Sequence, residues 1–230
     1  MPELLSYQSQ GPVLVVRLER PGSGNALNRQ LQSELIAAWE HLEADDVLLA
    51  GVVHGSANVF SVGHDVPELL NAADDSSMAA PLDGLFPHTL SKPVIAAVEG
   101  LCYGLGFELA LACDLRIAAE DAHFGFPDTN LHVSYRLASA LLPRITNLGT
   151  SLDLLLTGKV MDGTRLEPLR LVTRTTPKGQ ALSQSVAVAS EMARRFGTAG
   201  AFRKEQIWQF AGLPLPTALS LARMPYGNDS

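Results

Sequence analysis

Short apolar runs separated by polar and turn-forming residues are the first pattern along the chain. Runs of four to eight apolar residues rich in Val and Ile are typical of strands that are buried on both faces of a parallel sheet. The predicted strands are Val13–Leu18, Val47–Val53 and Val94–Val98, and Leu115–Ala119 could be another.

Helical spacing appears between several of these runs. Apolar side chains recur every three to four residues from Leu27 to Leu42, after a possible N-cap at Asn25. The chain reads as mainly helical from Ala181 onward, with Arg170–Gly179 as a connection to this tail. Asn71–Gly84 is small, acidic and aperiodic, which predicts a mobile loop. The alternation indicates an α/β layer architecture with right-handed crossovers.

Composition narrows the class of protein. The 230 residues carry a net charge of −7 and are 47% hydrophobic, which favours one acidic globule and excludes an overall basic surface for nucleic acid. Cys102 and Cys113 have no CxxC spacing, so we expect neither a disulfide framework nor a zinc site, and a reducing cytoplasm as the setting. Residues 1–12 lack a signal-peptide pattern. Val94–Ala112 approaches the length of a membrane span, but its carboxylates and glycines favour a buried strand, turn and helix.

The segment from Pro93 to Asp114 carries the clearest chemistry, because an apolar strand enters a glycine-rich turn and leaves as an apolar helix. Glycines at 104 and 106 let another molecule approach the main chain closely. The N-H groups of the first helical turn, near Leu105, have no intrahelical partner and would stabilise an oxygen that gains negative charge. Glu108 lies about one turn further along. The pattern predicts an oxyanion donor beside a general base.

Four ordered segments resemble the crotonase (enoyl-CoA hydratase/isomerase) superfamily, and the resemblance covers roughly residues 12 to 160. The central one is Ala96-Ala-Val-Glu-Gly-x-x-x-Gly-x-Gly-x-Glu108. The others are Arg20-Pro-Gly-Ser-Gly-Asn-Ala-Leu27, Phe60-Ser-Val-Gly-His-Asp-Val-Pro-Glu-Leu69 and Phe124-Gly-Phe-Pro-Asp-Thr-Asn-Leu131, followed later by Leu156-Thr-Gly158.

The resemblance implies a fold and an assembly. The expected fold is an α/β crotonase (ClpP-like) spiral of ββα units over residues 1–180, with two roughly perpendicular sheets. A helical C-terminal region over residues 181–230 would support trimers or hexamers and cover the acyl pocket. Many relatives carry a further helix beyond the position of Leu219–Arg223, so this region is expected to be short.

The resemblance also implies the substrate and its binding groups. Family members hold the carbonyl oxygen of a coenzyme A thioester between two backbone N-H groups, which fall on His64 and Leu105 here. CoA enters as part of the substrate, and no other cofactor, metal, membrane or nucleic-acid partner is expected. The residues placed against substrate or CoA are Ala26, Leu27, Asp65, Val66, Pro67 and Gly104.

Two carboxylates are candidates for acid–base work. Glu108 matches the glutamate that positions or activates water in hydratases, and Asp128 falls where hydratases and many isomerases carry a second glutamate. Aspartate is shorter by about one C–C bond, whereas proton transfer needs roughly 2.6 to 3.2 Å between heavy atoms. Structural roles remain open for both: a buried carboxylate bound by backbone for Glu108, and a turn residue after Pro127 for Asp128.

Tyr135 marks a departure from the hydratase pattern. His132 and Ser134 replace an expected glycine and proline, and Tyr135 falls where some decarboxylating relatives place a tyrosine beside a substrate carboxylate. It could deliver a proton to an enolate, or simply cover the core. We predict an acyl-CoA enzyme of the hydratase type. The alternatives are a decarboxylase, an isomerase or an acyl-CoA-binding protein without turnover. Gly104-Leu-Gly106 lacks the third glycine of a dinucleotide fingerprint.

Overall fold

The computed structural model describes residues 3–71, 81–127 and 133–223. Four units of two strands and one helix follow one another through the first two thirds of the chain. In the second to fourth units, the first strand joins one sheet and the second strand joins another. The chain is therefore the α/β structure that the alternation predicted.

The larger sheet has the strand order β1-β2-β3-β5-β7-β10. β1 pairs antiparallel with β2, and every other neighbouring pair is parallel. Its strands are β1 (Leu5–Gln10), β2 (Val13–Leu18), β3 (Ala50–His54), β5 (Val94–Val98), β7 (Leu115–Ala119) and β10 (Arg174–Thr176).

The smaller sheet has the order β4-β6-β8-β9, with only the last pair antiparallel. Its strands are β4 (Val59–Ser61), β6 (Leu101–Tyr103), β8 (His123–Gly125) and β9 (Val160–Asp162). β4 and β6 lead directly into the two turns that concern the site.

The described ranges contain nine α-helices. They are α1 (Arg29–Ala44), α2 (Val66–Asn71), α3 (Leu105–Ala112), α4 (Arg136–Ile145), α5 (Leu148–Thr157), α6 (Gly163–Leu166), α7 (Ala181–Phe196), α8 (Ala199–Ala211) and α9 (Leu215–Leu221). Every residue of α3 is buried, which explains why its sequence is apolar on all sides.

The central strands of the larger sheet are buried on both faces: alternate side chains of a strand point to opposite sides, and nearly all those of β2, β3 and β5 are buried. On β2, Leu14 and Val16 join the main core, whereas Val13 and Val15 pack on the side of α7 with Ala189. Continuous apolar runs are what such a sheet requires. The run Val13–Leu18 therefore shows no alternation of apolar and polar residues.

Three predicted strands, Val13–Leu18, Val94–Val98 and Leu115–Ala119, are confirmed with their bounds. The strand predicted from Val47 begins instead at Ala50. Val47 is 71% exposed and its N-H donates to the Asp45 carboxylate, so these residues form a turn before the sheet.

Two further expectations are corrected. The cap of α1 is Asn28, which accepts from the N-H of Leu31, and not Asn25. Asn25 has a positive φ of 53° and binds the β4 backbone through its side chain.

The connection Arg170–Gly179 contains β10, which extends the larger sheet beside β7. The loop expected over 71–84 lies mostly outside the described residues.

The C-terminal helices are tied to the core by Lys204 on α8, which is only 8% exposed. Its Nζ lies 2.9 Å from the Asp114 carboxylate just after α3 and 3.0 Å from the Pro87 carbonyl oxygen. Within the described ranges, none of the helices combines the length and the apolar character that crossing a bilayer requires.

Candidate active site

Two glycine-containing turns meet at the ends of β4 and β6. Gly63 has φ = +99°, and a Cβ added there would stand 3.0 Å from the nitrogen of Leu105 and 2.8 Å from the oxygen of Tyr103. Only glycine fits this contact without displacing backbone. His64 follows directly, so the two residues predicted to donate N-H groups lie on segments that touch.

The second turn delivers the start of α3. Gly104 has φ = 51° and ψ = −124°, and its N-H donates to the Gly125 carbonyl at 3.0 Å. Leu105 is the first residue of α3, so its N-H has no acceptor within the helix. Gly106 packs so closely on β4 that an added Cβ would lie 2.6 Å from the Ser61 Cβ. This contact brings the positive end of α3 against the first turn.

The segment predicted to bind CoA is joined to the first turn by backbone pairing. The N-H of Leu27 donates to the Gly63 carbonyl at 2.7 Å, and Leu27 and His64 form a parallel bridge. Ala26 and Leu27 are buried beside this bridge, whereas Val66 is half-buried and Pro67 exposed. The structure therefore brings together the two segments that the sequence placed along CoA.

An ion pair between side chains also holds these two segments together. Arg20 donates from one Nη to the Asp65 carboxylate at 2.5 Å and to the Ala26 carbonyl at 3.0 Å. The other oxygen of Asp65 accepts from the N-H of Glu68 in α2. Burial acts to raise the pKa of Asp65, but the Glu68 N-H and the Arg20 guanidinium lower it below its usual value. Asp65 is thus held ionised as a brace between the two segments.

Glu108 is buried on α3, one turn after Leu105, with 2% of its surface exposed. Its Oε1 accepts from the N-H of Ala138 at 2.8 Å. Burial raises the pKa of Glu108 to about 7, and the backbone N-H groups of Ala138 and Leu137 only partly oppose the rise. A carboxyl group that titrates near neutrality can both take and return a proton at physiological pH.

Tyr135 precedes α4 and forms one end of an aromatic cluster. Its ring centroid lies 4.7 Å from that of Phe126, which stacks on Phe107 in the core at 5.1 Å. The His64 ring lies 6.3 Å from the Tyr135 ring. Tyr135 is therefore both a core-facing aromatic and a neighbour of the first turn.

Asp128 and His132 lie outside the described residues, so the second carboxylate candidate remains a sequence prediction. Ser134, the other departure from the hydratase pattern, is exposed just before α4.

Sequence reasoning gave no role to several residues that hold the site. Ser61 donates to the Asn25 carbonyl at 2.8 Å and accepts the N-H of Gly63 at 3.1 Å, linking the two family segments. Arg20 stood within one of the family segments, and Asn25 was predicted only as a helix cap. Nothing in the spacing showed that they reach residues more than 30 positions away. Ala138 acts through its backbone, which leaves no side-chain signal.

A cavity of about 390 Å³ lies elsewhere, beneath α8, between residues such as Leu111, Met192 and Trp208. It is mainly apolar, with Asp114 and Lys204 at its wall, and contains none of the residues of the candidate site. In the part of the chain that the structure describes, no group of three or more His, Cys, Asp or Glu side chains is arranged to hold a metal ion.

Comparison with known proteins adds the family. The sequence profile described as enoyl-CoA hydratase/isomerase matches residues 8–227. A probable enoyl-CoA hydratase of Rhizobium meliloti is 34% identical over 224 residues, which cover 96% of this chain and 87% of that protein. The 2,3-dehydroadipyl-CoA hydratase of Escherichia coli is 32% identical over 231 residues, with 97% and 88% covered.

Solved structures agree with the fold. The crystal structure of an enoyl-CoA hydratase from a Polaromonas species superposes with a TM-score of 0.88 at 30% identity, over 95% of this chain and 88% of that one. The enoyl-CoA hydratase from Mycobacterium tuberculosis gives a TM-score of 0.87 at 27% identity, with 96% and 87% covered. The crotonase fold expected from the four sequence segments is confirmed.

Proposed function

The chain belongs to the enoyl-CoA hydratase/isomerase family, and from that premise we propose that it adds water to the double bond of an enoyl-CoA thioester. The observation that carries this proposal is the position of Glu108, a buried carboxylate one turn after Leu105 in the turn that contacts Gly63. Acid–base chemistry on a thioester requires a proton acceptor beside an oxyanion donor.

The proposed reaction uses two backbone N-H groups. The thioester oxygen would accept from His64 and Leu105. When water adds to the β-carbon, the electron pair of the double bond moves toward this oxygen and forms an enolate, which the N-H groups stabilise. Removing one such donor costs about 3 to 4 kcal/mol in other enzymes. The glycine contacts at 63 and 106 support this role because they hold both segments in place.

Glu108 would supply the proton transfers. As the carboxylate it takes a proton from the attacking water, and as the acid it returns one to the α-carbon, so no net proton is consumed. Its pKa of about 7 suits both steps at neutral pH. We assign Asp128 the weaker, second role of holding the water. The isomerase alternative would instead use Asp128 alone, to move one proton between two carbons.

Binding of CoA is proposed along the Ala26–Leu27 segment and the turn from His64 to Pro67. The backbone pairing between Leu27 and Gly63 supports this placement. CoA is then the carrier of the acyl group, and the reaction as written uses no redox or metal cofactor. We keep the cytoplasm as the proposed setting, in agreement with the two buried free thiols Cys102 and Cys113.

Decarboxylation is a second candidate, and the pairing of His64 with Tyr135 favours it. The two rings lie 6.3 Å apart next to the first turn. A substrate carboxylate placed beside them would leave as carbon dioxide, and its bonding electrons would form the same enolate. The Tyr135 phenol would then protonate the α-carbon and recover its proton from solvent.

We also propose that the chain assembles with copies of itself, as a trimer or hexamer. Leu148, Leu152 and Leu156 follow one another at intervals of four on α5 and are 62%, 46% and 74% exposed. Residues at this spacing share one face of a helix. An exposed apolar stripe of this kind is typical of a protein–protein contact. Light scattering on the wild type and Leu152→Lys would test it, with a smaller assembly expected for the variant.

The function is tested by incubating the protein with crotonyl-CoA and, separately, with methylmalonyl-CoA, and by following the products by mass. Gain of one water by the crotonyl thioester, abolished in Glu108→Gln, is the expected result. Loss of carbon dioxide from methylmalonyl-CoA would favour the second candidate instead. Binding of both thioesters without any product would contradict both reactions and indicate a protein that only binds acyl-CoA.

A further inference from the structure

The start of α4 is capped by a residue from a different helix. Tyr135 occupies the N-cap position of α4, but its side chain makes no capping hydrogen bond. The acceptor comes from Glu108 on α3, 30 residues earlier, at 2.8 Å from the Ala138 nitrogen. A helix start needs acceptors for its first N-H groups and favours negative charge. The Glu108 carboxylate meets both requirements.

The cap that Glu108 provides to α4 also determines the position of Tyr135. Tyr135 is three residues before Ala138, within the same first turn; its ring lies 4.7 Å from that of Phe126 and 6.3 Å from that of His64. A movement of the α4 start would carry Tyr135 with it. We propose that Glu108, besides the acid–base role on which this inference rests, is a positioning residue that holds Tyr135 beside His64 through the backbone of α4.

The two roles are compatible in one carboxylate. An ionised carboxylate has about four acceptor sites on its two oxygens, so bonds to backbone N-H groups leave capacity for water or substrate. Buried carboxylates are costly unless hydrogen-bonded, and the α4 start supplies that bonding. The same contact therefore stabilises Glu108 and orders the segment that bears Tyr135.

The chain contains a matched control. Glu99 accepts from the N-H of Ala181 at 3.0 Å and so caps α7 in the same way. It belongs to the same segment as Glu108, but it lines a different cleft, beside Arg17, His54 and Leu182. Changes at Glu99 therefore reproduce the loss of a helix cap without touching the candidate site.

The test compares Gln, which keeps an oxygen acceptor, with Leu, which removes it at similar size, at positions 108 and 99. The readout is the ring signal of ¹³C-tyrosine; the chain has four tyrosines, and Tyr135→Phe identifies the signal of Tyr135. We expect this signal to stay in place in Glu108→Gln and to shift or broaden in Glu108→Leu. Both Glu99 variants should leave it unchanged.

Amide hydrogen exchange gives a second readout. We expect the Ala138 amide to exchange about tenfold faster in Glu108→Leu than in Glu108→Gln, and the Ala181 amide to respond in the same way to the Glu99 pair. An unchanged Tyr135 signal or unchanged exchange at Ala138 in Glu108→Leu would each overturn the proposal. Turnover is judged separately, because Glu108→Gln is expected to lose activity while keeping the Tyr135 signal.

If Glu108→Leu does not fold, the wild type decides. A capped Ala138 amide should exchange at least tenfold more slowly than its intrinsic rate, although it lies in the first turn of α4 and has no acceptor within that helix. Exchange at the intrinsic rate would show that the bond to Glu108 does not persist, and the proposal would be abandoned.

Discussion

The starts of α4 and α7 are built alike and differ in what surrounds the capping carboxylate. Glu108 binds the Ala138 N-H and Glu99 binds the Ala181 N-H, and both glutamates come from the stretch between Val94 and Ala112. Glu108 is 2% exposed, whereas Glu99 is only partly buried. Both glutamates therefore cap a helix. Only Glu108 is also buried beside the turns at Gly63 and Leu105, which makes it a candidate acid–base group.

The comparison is tested most directly by neutralising each carboxylate. We expect Glu108→Gln to lower turnover of crotonyl-CoA by about 10² to 10⁴-fold, the usual contribution of a positioned acid–base group. Glu99→Gln should stay within about twofold of wild type, since it removes charge only from a cap. Steady-state kinetics on both variants measures this, and equal losses would mean that the effect at Glu108 is structural.

Two glycines extend the comparison to the backbone: Gly63 lies against the start of α3, which bears Glu108, and Gly179 lies just before α7. Gly63 and Gly179 both have positive φ, but an added Cβ would collide with Tyr103 and Leu105 at the first and meet nothing within 4 Å at the second. We expect Gly63→Ala to lower kcat/KM by about 10² to 10³-fold through a displaced oxyanion donor.

Gly179→Ala serves as the control, with about 1 to 2 kcal/mol of backbone strain and normal kinetics. Urea unfolding separates the two effects. A fully active Gly63→Ala variant would show that the contact between the turns is not needed for the reaction.

The sequence predicted the elements that are continuous in the chain. The apolar runs at Val13–Leu18 and Val94–Val98 are confirmed because a strand buried on both faces needs apolar residues at nearly every position. Leu105 as the first residue of α3 followed from the glycine turn. The error at Asn25 has a tertiary cause: an amide that could cap a helix instead binds the carbonyls of Val59 and Phe60.

Contacts between distant segments could not be predicted from the sequence. Arg20 and Asp65 are 45 positions apart, and Glu108 and Ala138 are 30 apart. Ala138 uses only its N-H, which every residue except proline offers. The burial that raises the pKa of Glu108 likewise depends on how α3 and α4 pack, and not on neighbours along the chain.

Burial of Glu108 also predicts how stability changes with pH. Because burial raises the pKa from 4.5 to about 7, the folded chain binds this proton more tightly than the unfolded chain does. The resulting stabilisation is complete below pH 4.5 and is lost as the pH rises to about 7. At 1.36 kcal/mol per pKa unit, the change is about 3 kcal/mol.

The measurement is the free energy of unfolding of wild type minus that of Glu108→Gln, determined with urea at several pH values. This difference should fall by about 3 kcal/mol between pH 4.5 and pH 7.5. A difference that does not change with pH would mean that Glu108 has the same pKa in the folded and the unfolded chain. Burial would then not distinguish Glu108 from Glu99.

The smallest effect is expected from Tyr135→Phe, which removes the phenol and keeps the ring. Packing on Phe126 uses the aromatic face, so the start of α4 should remain in place and hydration of crotonyl-CoA should change by less than about threefold. If the phenol instead delivers a proton, the loss should reach about 10²-fold, and only with a substrate that releases carbon dioxide. Measuring both substrates on this one variant decides whether Tyr135 only packs at the start of α4, beside the helix cap made by Glu108, or also donates a proton to the substrate.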